Sequence, residues 1–248
     1  MLARLARFIT KRLITFLSVH EQGELAFLIL EKMTTKDAAR AAEPLMRLDS
    51  KVHELHGQAA IAQNRGIHPK HELTDYHQFF VERIQPGEHV LDFGTGIGAV
   101  ASDIAEQTKA LVDGIDIVPE NIATAHLRFS HSQVQYFVGD GLKISPNPPY
   151  DIVVMSNVLE HLEQRPQALK SIQQASQAKR FLIRVPSFER DWRVPYKRRL
   201  GVEWRLDEDH KTEFTEVQFR AELAEAGFEI VHLEIRWGEI WAEALVSG

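Results

Sequence analysis

The sequence has no cysteine among its 248 residues. Disulfide scaffolds, cysteine-based zinc sites and cysteine nucleophiles are therefore excluded, and a reducing cytoplasmic location is compatible with the composition. No uninterrupted apolar run approaches the roughly 20 residues that a membrane-spanning helix needs. The net charge of -6 argues against general nucleic-acid binding. We therefore expect a cytoplasmic protein without a nucleic-acid partner.

The first 19 residues lack acidic side chains and contain four basic ones. Their apolar residues recur at largely helical spacing, without the continuous apolar stretch and cleavage site of a secretory signal. We expect an amphipathic helix that packs on its own domain. The alternative is a helix that lies on an anionic membrane surface as a peripheral contact.

Strand patterns are also missing from residues 1–80, which we assign to an N-terminal helical region or cap. Residues 81–248 form a second region, in which strands alternate with helices from Glu88 onward. This alternation predicts a mostly parallel sheet with helices on both faces. The last two predicted strands, Phe228–Ile235 and Ile240–Val246, are joined by a short turn around Gly238, so they must be antiparallel. The earlier strands are predicted at His89–Phe93, Ala110–Ile117, Val134–Val138, Asp151–Met155 and Arg180–Val185.

A glycine-rich turn follows the first of these strands, where residues 92–98 read DFGTGIG. Glycines let the backbone turn sharply and let a ligand approach closely. The N–H groups at the start of the following helix favour electronegative ligand groups. The dinucleotide fingerprint G-x-G-x-x-G stays open at this point, because Ala99 stands where its third glycine or alanine would fall.

Acidic residues close the next two strands. Asp116 ends the second strand, where a carboxylate can accept hydrogen bonds from both ribose hydroxyls. Asp140 follows the third strand, where it can accept a hydrogen bond from the exocyclic amine of adenine. In such a sheet ligands bind beyond the carboxyl ends of the strands, so the three features indicate one cofactor site.

Together these residues resemble the acid-x-G-x-G-x-G signature of the class I methyltransferases that depend on S-adenosylmethionine (SAM). The resemblance covers about residues 75–246. It implies a Rossmann-like α/β fold with a mostly parallel seven-stranded sheet and an antiparallel C-terminal hairpin, and SAM as the cofactor. The residues assigned to cofactor binding are Asp92, Gly94, Thr95, Gly96, Gly98, Asp116, Ile117, Asp140, Gly141, Leu142 and Asn157.

Two further segments resemble parts of such enzymes. Residues 157–162 resemble the segment that lies near the methyl acceptor in the small-molecule branch. Residues 66–77 resemble, more weakly, the arm that precedes the glycine motif in bacterial methyltransferases of cell-surface sugars. This second likeness implies that the arm folds over the cofactor, with Tyr76 as a contact.

Acid–base candidates for a hydroxyl acceptor lie in two places. His161 follows the fourth strand; a positioned base contributes roughly 10²–10⁴-fold to such a reaction. The alternatives are that His161 only shapes the pocket, or that Glu160 contacts the ligand. His210 and Asp209 are the second pair of candidates. They belong to residues 186–214, a lid-like insertion that is long for a connection in a compact domain.

Positive charge is concentrated around this insertion, since residues 179–205 contain nine basic and three acidic side chains. We weigh two interpretations, a solvated loop and a cap that attracts an anionic acceptor such as a phosphorylated or nucleotide-linked sugar. Residues 147–150 spell the NPPY tetrapeptide of amino-methyltransferases, but they precede the fourth strand. We therefore interpret them as a proline-rich loop.

No metal site is expected from the histidines His53, His56, His68, His71 and His77, because a proline turn separates them and no acid cluster joins them. The sequence thus predicts a SAM-dependent methyltransferase whose acceptor is a small-molecule hydroxyl, in particular of a sugar or glycan precursor. The alternatives are a lipid or quinone O-methyltransferase at the membrane surface, an NAD-dependent oxidoreductase, and a non-catalytic SAM-binding protein.

Overall fold

A computed structural model of the chain describes residues 10–65, 68–143 and 146–247. Its centre is a seven-stranded sheet with the strand order β3-β2-β1-β4-β5-β7-β6. The strands are β1 (His89–Phe93), β2 (Leu111–Asp116), β3 (Val134–Val138), β4 (Ile152–Ser156), β5 (Arg180–Pro186), β6 (Phe228–Arg236) and β7 (Glu239–Val246). The first five are mutually parallel, and β7 pairs antiparallel with both β5 and β6. The predicted parallel sheet with an antiparallel C-terminal hairpin is confirmed.

Helices flank the sheet and extend before it. They are α1 (Val19–Lys36), α2 (Ala38–Gln63), α3 (Lys70–Thr74), α4 (Gln78–Val81), α5 (Ala99–Thr108), α6 (Pro119–Arg128), α7 (Arg165–Ser176), α8 (Arg193–Arg199) and α9 (Glu216–Glu225), with a 3₁₀ turn at Leu159–His161. Local chemistry sets several of these ends. Pro119 stands at the first position of α6, where its missing N–H costs nothing. Gly227, with φ +85°, follows the end of α9.

The core has two halves, one on each face of the sheet. Alternate residues of β4 divide between them, with Val153 and Met155 on one face and Ile152 and Val154 on the other. The first face is covered by apolar residues of α7 and α9, and the second by those of α4 and α5. Burial on both faces is expected of central parallel strands and explains their continuous apolar runs.

The C-terminal hairpin turns through two residues, Trp237 and Gly238, between the paired Arg236 and Glu239. Both turn residues have positive φ, at +54° and +76°. This is the backbone of a type I′ turn, whose twist matches that of the flanking strands. The short connection therefore fixes the antiparallel register that places Glu239 beside Pro186 of β5.

The N-terminal helices pack against each other and bury little. Residues 10–14 are helical, while the first nine residues, with Arg4 and Arg7, lie outside the described part. Phe16 is 85% exposed and Val19 87% exposed. The helix α1 buries none of its residues, and α2 buries only Ala41. Of the helices in the described residues, none is sufficiently long and apolar to cross a bilayer.

One acidic residue of α2 links this region to the insertion of residues 186–214. Oδ1 of Asp49 lies 2.6 Å from Nη1 of Arg193, and its Oδ2 lies 2.7 Å from Nζ of Lys197. Both cations belong to α8. At the base of the insertion, an isolated bridge pairs Ser187 with Phe214. The insertion is thus a folded segment that is held at its base and against α2.

We expect that Asp49→Asn loosens α8 without unfolding the protein. Partly exposed ion pairs contribute at most about 1 kcal/mol each, so the free energy of unfolding should change little. A helix as short as α8 depends on such contacts, so the amides of residues 193–199 should exchange hydrogen faster. Glu43→Gln is the matched control, since Glu43 pairs with Arg47 within α2 itself. Equal exchange rates in the two variants would contradict the link.

Candidate active site

A cavity of about 700 Å³ opens beyond the carboxyl ends of β1, β2 and β4. Its position at the centre of the sheet is the usual ligand site of open α/β folds. Most of the residues that the sequence assigns to the cofactor line it, namely Tyr76, Asp92, Gly94, Thr95, Gly96, Asp116, Ile117, Asp140, Gly141, Leu142 and Asn157. The cavity also contains His161 and Asp209 in its wall, whereas Gly98 and His210 stand behind it.

The glycines after β1 are required by close contacts. A Cβ on Gly94 would lie 2.6 Å from Cγ2 of Val158, and a Cβ on Gly98 would lie 2.6 Å from the Tyr136 hydroxyl. Both glycines also have strongly positive φ angles, +73° and +87°. The Tyr136 hydroxyl lies 3.2 Å from the carbonyl oxygen of Gly98. Gly98 therefore supports the cavity from behind.

Asp116 connects the glycine turn with the loop after β2. Its Oδ2 accepts a hydrogen bond from the Gly96 N–H at 2.9 Å. Its Oδ1 accepts one from the Val118 N–H at 2.9 Å and one from Nδ2 of Asn121 at 3.2 Å. A carboxylate held in this way presents its remaining acceptor capacity to the cavity.

Asp140 lies at the next strand end along the sheet. It accepts hydrogen bonds from Lys143 Nζ at 2.8 Å and from the Leu142 N–H at 3.1 Å. The hydrogen bond from Lys143 holds the pKa of Asp140 below its ordinary value, so the group stays ionised. A Cβ on the adjacent Gly141 would lie 2.4 Å from the Phe93 ring. The backbone at residue 141 thus packs directly on the end of β1.

Asp92, the one acid of the glycine motif, is buried. It is 2% exposed, and its Oδ2 accepts a hydrogen bond from Thr95 Oγ1 at 2.6 Å. Burial raises its pKa to about 6, against the opposing effects of that hydrogen bond and of the charge on His77. Asp92 therefore resists ionisation and fixes the turn through Thr95.

On the side of β4, the wall is formed by the turn that follows the strand. Asn157 has a left-handed backbone, φ +57°, and its N–H donates to the carbonyl of Arg184 at 2.8 Å. His161 is half-buried, and burial followed by the nearby His210 lowers its pKa. The His210 ring stands edge-on to the His161 ring, with 4.7 Å between centroids. Nδ1 of His210 lies 3.1 Å from Oε1 of Glu213. The insertion thus places His210 directly behind His161, outside the cavity lining.

Two cations of the cavity wall were not foreseen as site residues. Arg184, on β5, is 3% exposed and lines the cavity. Its guanidinium donates to both oxygens of Glu239, at 2.7 and 2.6 Å, and lies 4.0 Å from the centre of the Tyr76 ring. Lys70 also lines the cavity, and its pKa is lowered by burial and then by Arg184. A signal for Arg184 was available, since it is the only charged residue between Phe181 and Val185 in a buried strand.

Tyr76 contributes an aromatic wall from the arm before β1. The first two residues of that arm, Gly66 and Ile67, lie outside the described part of the chain. The Tyr76 hydroxyl lies 3.1 Å from Nδ1 of His71. Burial raises the pKa of Tyr76 to about 12 and lowers that of His71 to about 4. Both groups are thus neutral near pH 7.

The positive charge around the insertion is largely compensated. Six of the nine basic side chains in residues 179–205 form ion pairs with carboxylates, and these are Arg180, Arg184, Arg190, Arg193, Lys197 and Arg205. Several of the partners come from distant positions, such as Asp49 and Glu88. Of the nine, Arg184 is the one that lines the cavity.

The tetrapeptide at residues 147–150 does not line the cavity. Nδ2 of Asn147 and the hydroxyl of Tyr150 each donate to Oδ2 of Asp113, both at 2.8 Å. Tyr150 is buried in the core, and the Pro148–Pro149 bond is cis. The segment is a structural loop that leads into β4, as its position in the sequence predicts.

Comparisons with known proteins agree on the family. A family model described as a methyltransferase domain matches residues 65–233. One curated relative, a protein-L-isoaspartate O-methyltransferase of Pyrococcus horikoshii, is 35% identical over 77 residues, covering 29% of this chain and 35% of the relative. Another, an ajmaline N-methyltransferase of Rauvolfia serpentina, is 26% identical over 108 residues, covering 42% of this chain and 37% of the relative. The chain thus spans about a third of the length of these relatives.

A solved structure shows the same architecture with a cofactor product. The magnesium protoporphyrin IX methyltransferase of Synechocystis PCC 6803 with bound SAH superposes with a TM-score of 0.58. The alignment covers 72% of this chain and 83% of that chain, at 19% sequence identity. At this sequence identity the likeness shows only that the two chains share a fold.

The raised pKa of Asp92 predicts a pH-dependent effect on stability. Between about pH 4, the ordinary aspartate pKa, and pH 6, the unfolded chain releases this proton while the folded chain keeps it, so stability falls as pH rises. In the Asp92→Asn variant this loss of stability with rising pH is absent. Its free energy of unfolding relative to the wild type should therefore increase by on the order of 3 kcal/mol between pH 4 and pH 7. Denaturant titrations across this range provide the measurement.

The exposed Glu106, on α5, offers a control for Asp92. In Glu106→Gln the difference from the wild type should stay flat over the same pH range. A flat difference for Asp92→Asn would show that the buried carboxyl does not titrate as inferred.

Proposed function

We propose that this chain, which belongs to the methyltransferase-domain family, is a class I, SAM-dependent methyltransferase whose acceptor is a hydroxyl of a small molecule, in particular of a sugar or glycan precursor. The observation that carries this proposal is the position of His161 in the cavity wall. β4, which precedes His161, is two strands away from β2, which ends at Asp116. That separation, roughly 10 Å in the sheet, leaves room for a cofactor along the ends of the strands.

We assign the cofactor contacts to the residues that already face the cavity. Asp116 accepts hydrogen bonds from the ribose, Asp140 from the adenine amine, and Tyr76 closes the opposite side. The fit is supported by Gly94 and Gly141, where a Cβ would meet a neighbouring side chain. When bound, SAM supplies a methyl group on a positively charged sulfur, and its transfer to a hydroxyl oxygen releases one proton and leaves a neutral thioether.

His161 is our candidate for the group that receives the hydroxyl proton. Its lowered pKa keeps the imidazole neutral near pH 7, so a ring nitrogen can accept a proton. His210 supports it from behind and is oriented by Glu213. Asp209, which is exposed and lines the cavity, is the alternative acid–base group.

The charge of Lys70 favours an anionic acceptor, such as a phosphorylated sugar. The charge of the insertion does not. Arg184 is neutralised by Glu239, whereas Lys70 forms no ion pair with a carboxylate among the described residues. A partly buried ammonium group attracts an anion strongly because little water screens it. We therefore propose that Lys70 meets the negative group of the acceptor or of the cofactor.

A lipid or quinone acceptor is the second candidate. It is favoured by the exposed apolar side chains Phe16, Val19 and Phe27, and by the four basic side chains and the lack of acidic ones in the first 19 residues of the sequence. Such a surface suits an anionic membrane. In this case the protein is membrane-peripheral; for the sugar acceptor we propose a cytoplasmic location.

We expect Asp116→Ala to weaken SAM binding by at least about tenfold, because each hydrogen bond to a charged group contributes about 1.5–3 kcal/mol. Isothermal titration with SAM measures the effect. Glu120→Ala is the control, since Glu120 is an exposed acid on the first turn of α6. If Asp116→Ala bound SAM as tightly as the control, the assigned cofactor site would be wrong.

Turnover tests the acceptor side. Labelled methyl is transferred from SAM to a fractionated cell extract, and the product is identified by mass spectrometry. His161→Ala should lower the rate by roughly 10²–10⁴-fold and His210→Ala by less, with SAM affinity unchanged in both. His56→Ala, an exposed change on α2, should be neutral.

The labelled product decides between the proposals. Label in an O-methyl sugar supports the first acceptor class, and label in the lipid fraction supports the second. Full turnover in His161→Ala and His210→Ala would remove the histidine mechanism. SAM binding without transfer to any fraction would indicate a non-catalytic SAM-binding protein.

A further inference from the structure

The carboxyl group of Glu160 is buried without a hydrogen-bond partner. The residue is 0% exposed, and neither Oε1 nor Oε2 finds a donor among the described residues. Its backbone carbonyl is satisfied by the Lys211 N–H at 2.8 Å, so the turn itself is well held. Placing an unpaired carboxyl in the interior is costly, and buried acids therefore usually have a hydrogen-bond donor or a metal ion beside them.

Two histidines stand next to this carboxyl group. Glu160, His161 and His210 each offer one donor atom, and these three atoms lie within 4.8 Å of one another. Glu160 and His210 are buried, while His161 faces the cavity. Two imidazole nitrogens and one carboxylate oxygen form a common ligand set for divalent first-row metal ions.

The surroundings of His210 fit the same interpretation. Nδ1 lies beside Oε1 of Glu213, so Nε2 is the nitrogen that remains for a ligand. Glu213 is itself fixed by an ion pair with Arg190. Carboxylates that orient a histidine in this way are typical of metal sites, because they hold the ring and raise its basicity.

A third buried oxygen without a partner, from another residue, lies on the same turn. Oδ1 of Asn157 finds no hydrogen-bond donor among the described residues, although the residue lines the cavity three positions before Glu160. Three buried oxygens of this turn, two of Glu160 and one of Asn157, thus have electron pairs without a hydrogen-bond donor among the described residues. Such a composition suits a cation.

We propose that Glu160, His161 and His210 bind a divalent transition-metal ion, such as Mn²⁺ or Zn²⁺, at the acceptor side of the cavity. The inference rests on the proposed function, because the coordination positions left open on the ion face the place assigned to the acceptor. An acceptor oxygen that binds there loses its proton more readily. His161 then acts as a ligand, and the proton released by the acceptor oxygen passes to Asp209, the exposed acid of the cavity wall.

The test uses the full chain after dialysis against a chelator. Calorimetric titration with Mn²⁺ and with Zn²⁺ should give one equivalent of bound ion, and Co²⁺ should give visible absorption bands of a protein-bound ion. Glu160→Gln and His210→Ala should each weaken binding by at least about tenfold, since even residues behind the ligands contribute 10–100-fold.

The double variant His53→Ala/His56→Ala is the matched control. Its two histidines lie one turn apart on α2 and are themselves able to bind an ion non-specifically. Binding that survives in this control and is lost in the Glu160 and His210 variants supports the site. Absence of binding to the wild type, or binding that is lost only in the control, overturns the inference.

Separate measurements distinguish this inference from the proposed function. SAM affinity reports whether each variant is folded, and His161→Ala, at a half-buried position, is available if Glu160→Gln does not fold. Wild type that binds SAM and transfers methyl to a hydroxyl but binds no ion overturns the metal site alone. Wild type that binds the ion as expected but methylates no hydroxyl overturns the acceptor proposal alone.

Discussion

The carboxylate of Asp116 is the contact on which the geometry of the cavity depends. It joins the glycine turn after β1, through the Gly96 N–H, to the loop after β2, through the Val118 N–H. Neither loop belongs to a helix or strand at these positions, so the sheet alone does not fix their separation. The Asp116 carboxylate holds the two loops together, beside the hydrogen bonds that the Gly94 and Thr95 N–H groups donate to the Ile115 carbonyl. We propose that the same carboxylate binds ribose. In the proposed cofactor site, structural and binding roles therefore coincide in Asp116, and we expect its loss to affect both.

The sheet was predictable because its signals are local. Short apolar segments located the ends of the seven strands within one or two residues. The glycine motif and Asp116 were predictable for the same reason, since each occupies the end of a strand. The site beyond β4 was predicted only in part. His161 and His210 appeared as separate candidates, and only the folded insertion shows that they form a cluster with Glu160.

The charge of the folded surface was the property that short sequence segments predicted least well. Residues 179–205 have a large positive excess, yet most of these cations pair with acids that lie far away in the chain, such as Asp49 and Glu88. A charge count over one sequence segment includes its cations but omits the acids elsewhere in the chain that pair with them. The converse error affected Lys70, whose surroundings in the sequence are unremarkable. It becomes a strong candidate for anion binding because the fold places it in the cavity wall beside Arg184.

On the acceptor side, the two proposals differ in what the lone pair of one His161 ring nitrogen binds. An imidazole nitrogen that coordinates an ion cannot also accept a proton, so our two proposals give His161 different roles, a base in one and a ligand in the other. The buried Glu160 bears on this choice, because its oxygens form no hydrogen bond to His161, whereas a bound ion would give them a partner. An empty cluster and a metal-bound one would present different charges to the acceptor. The family fixes the methyl donor, and if the acceptor is a hydroxyl as we propose, the occupant of this small cluster would determine how its oxygen is activated.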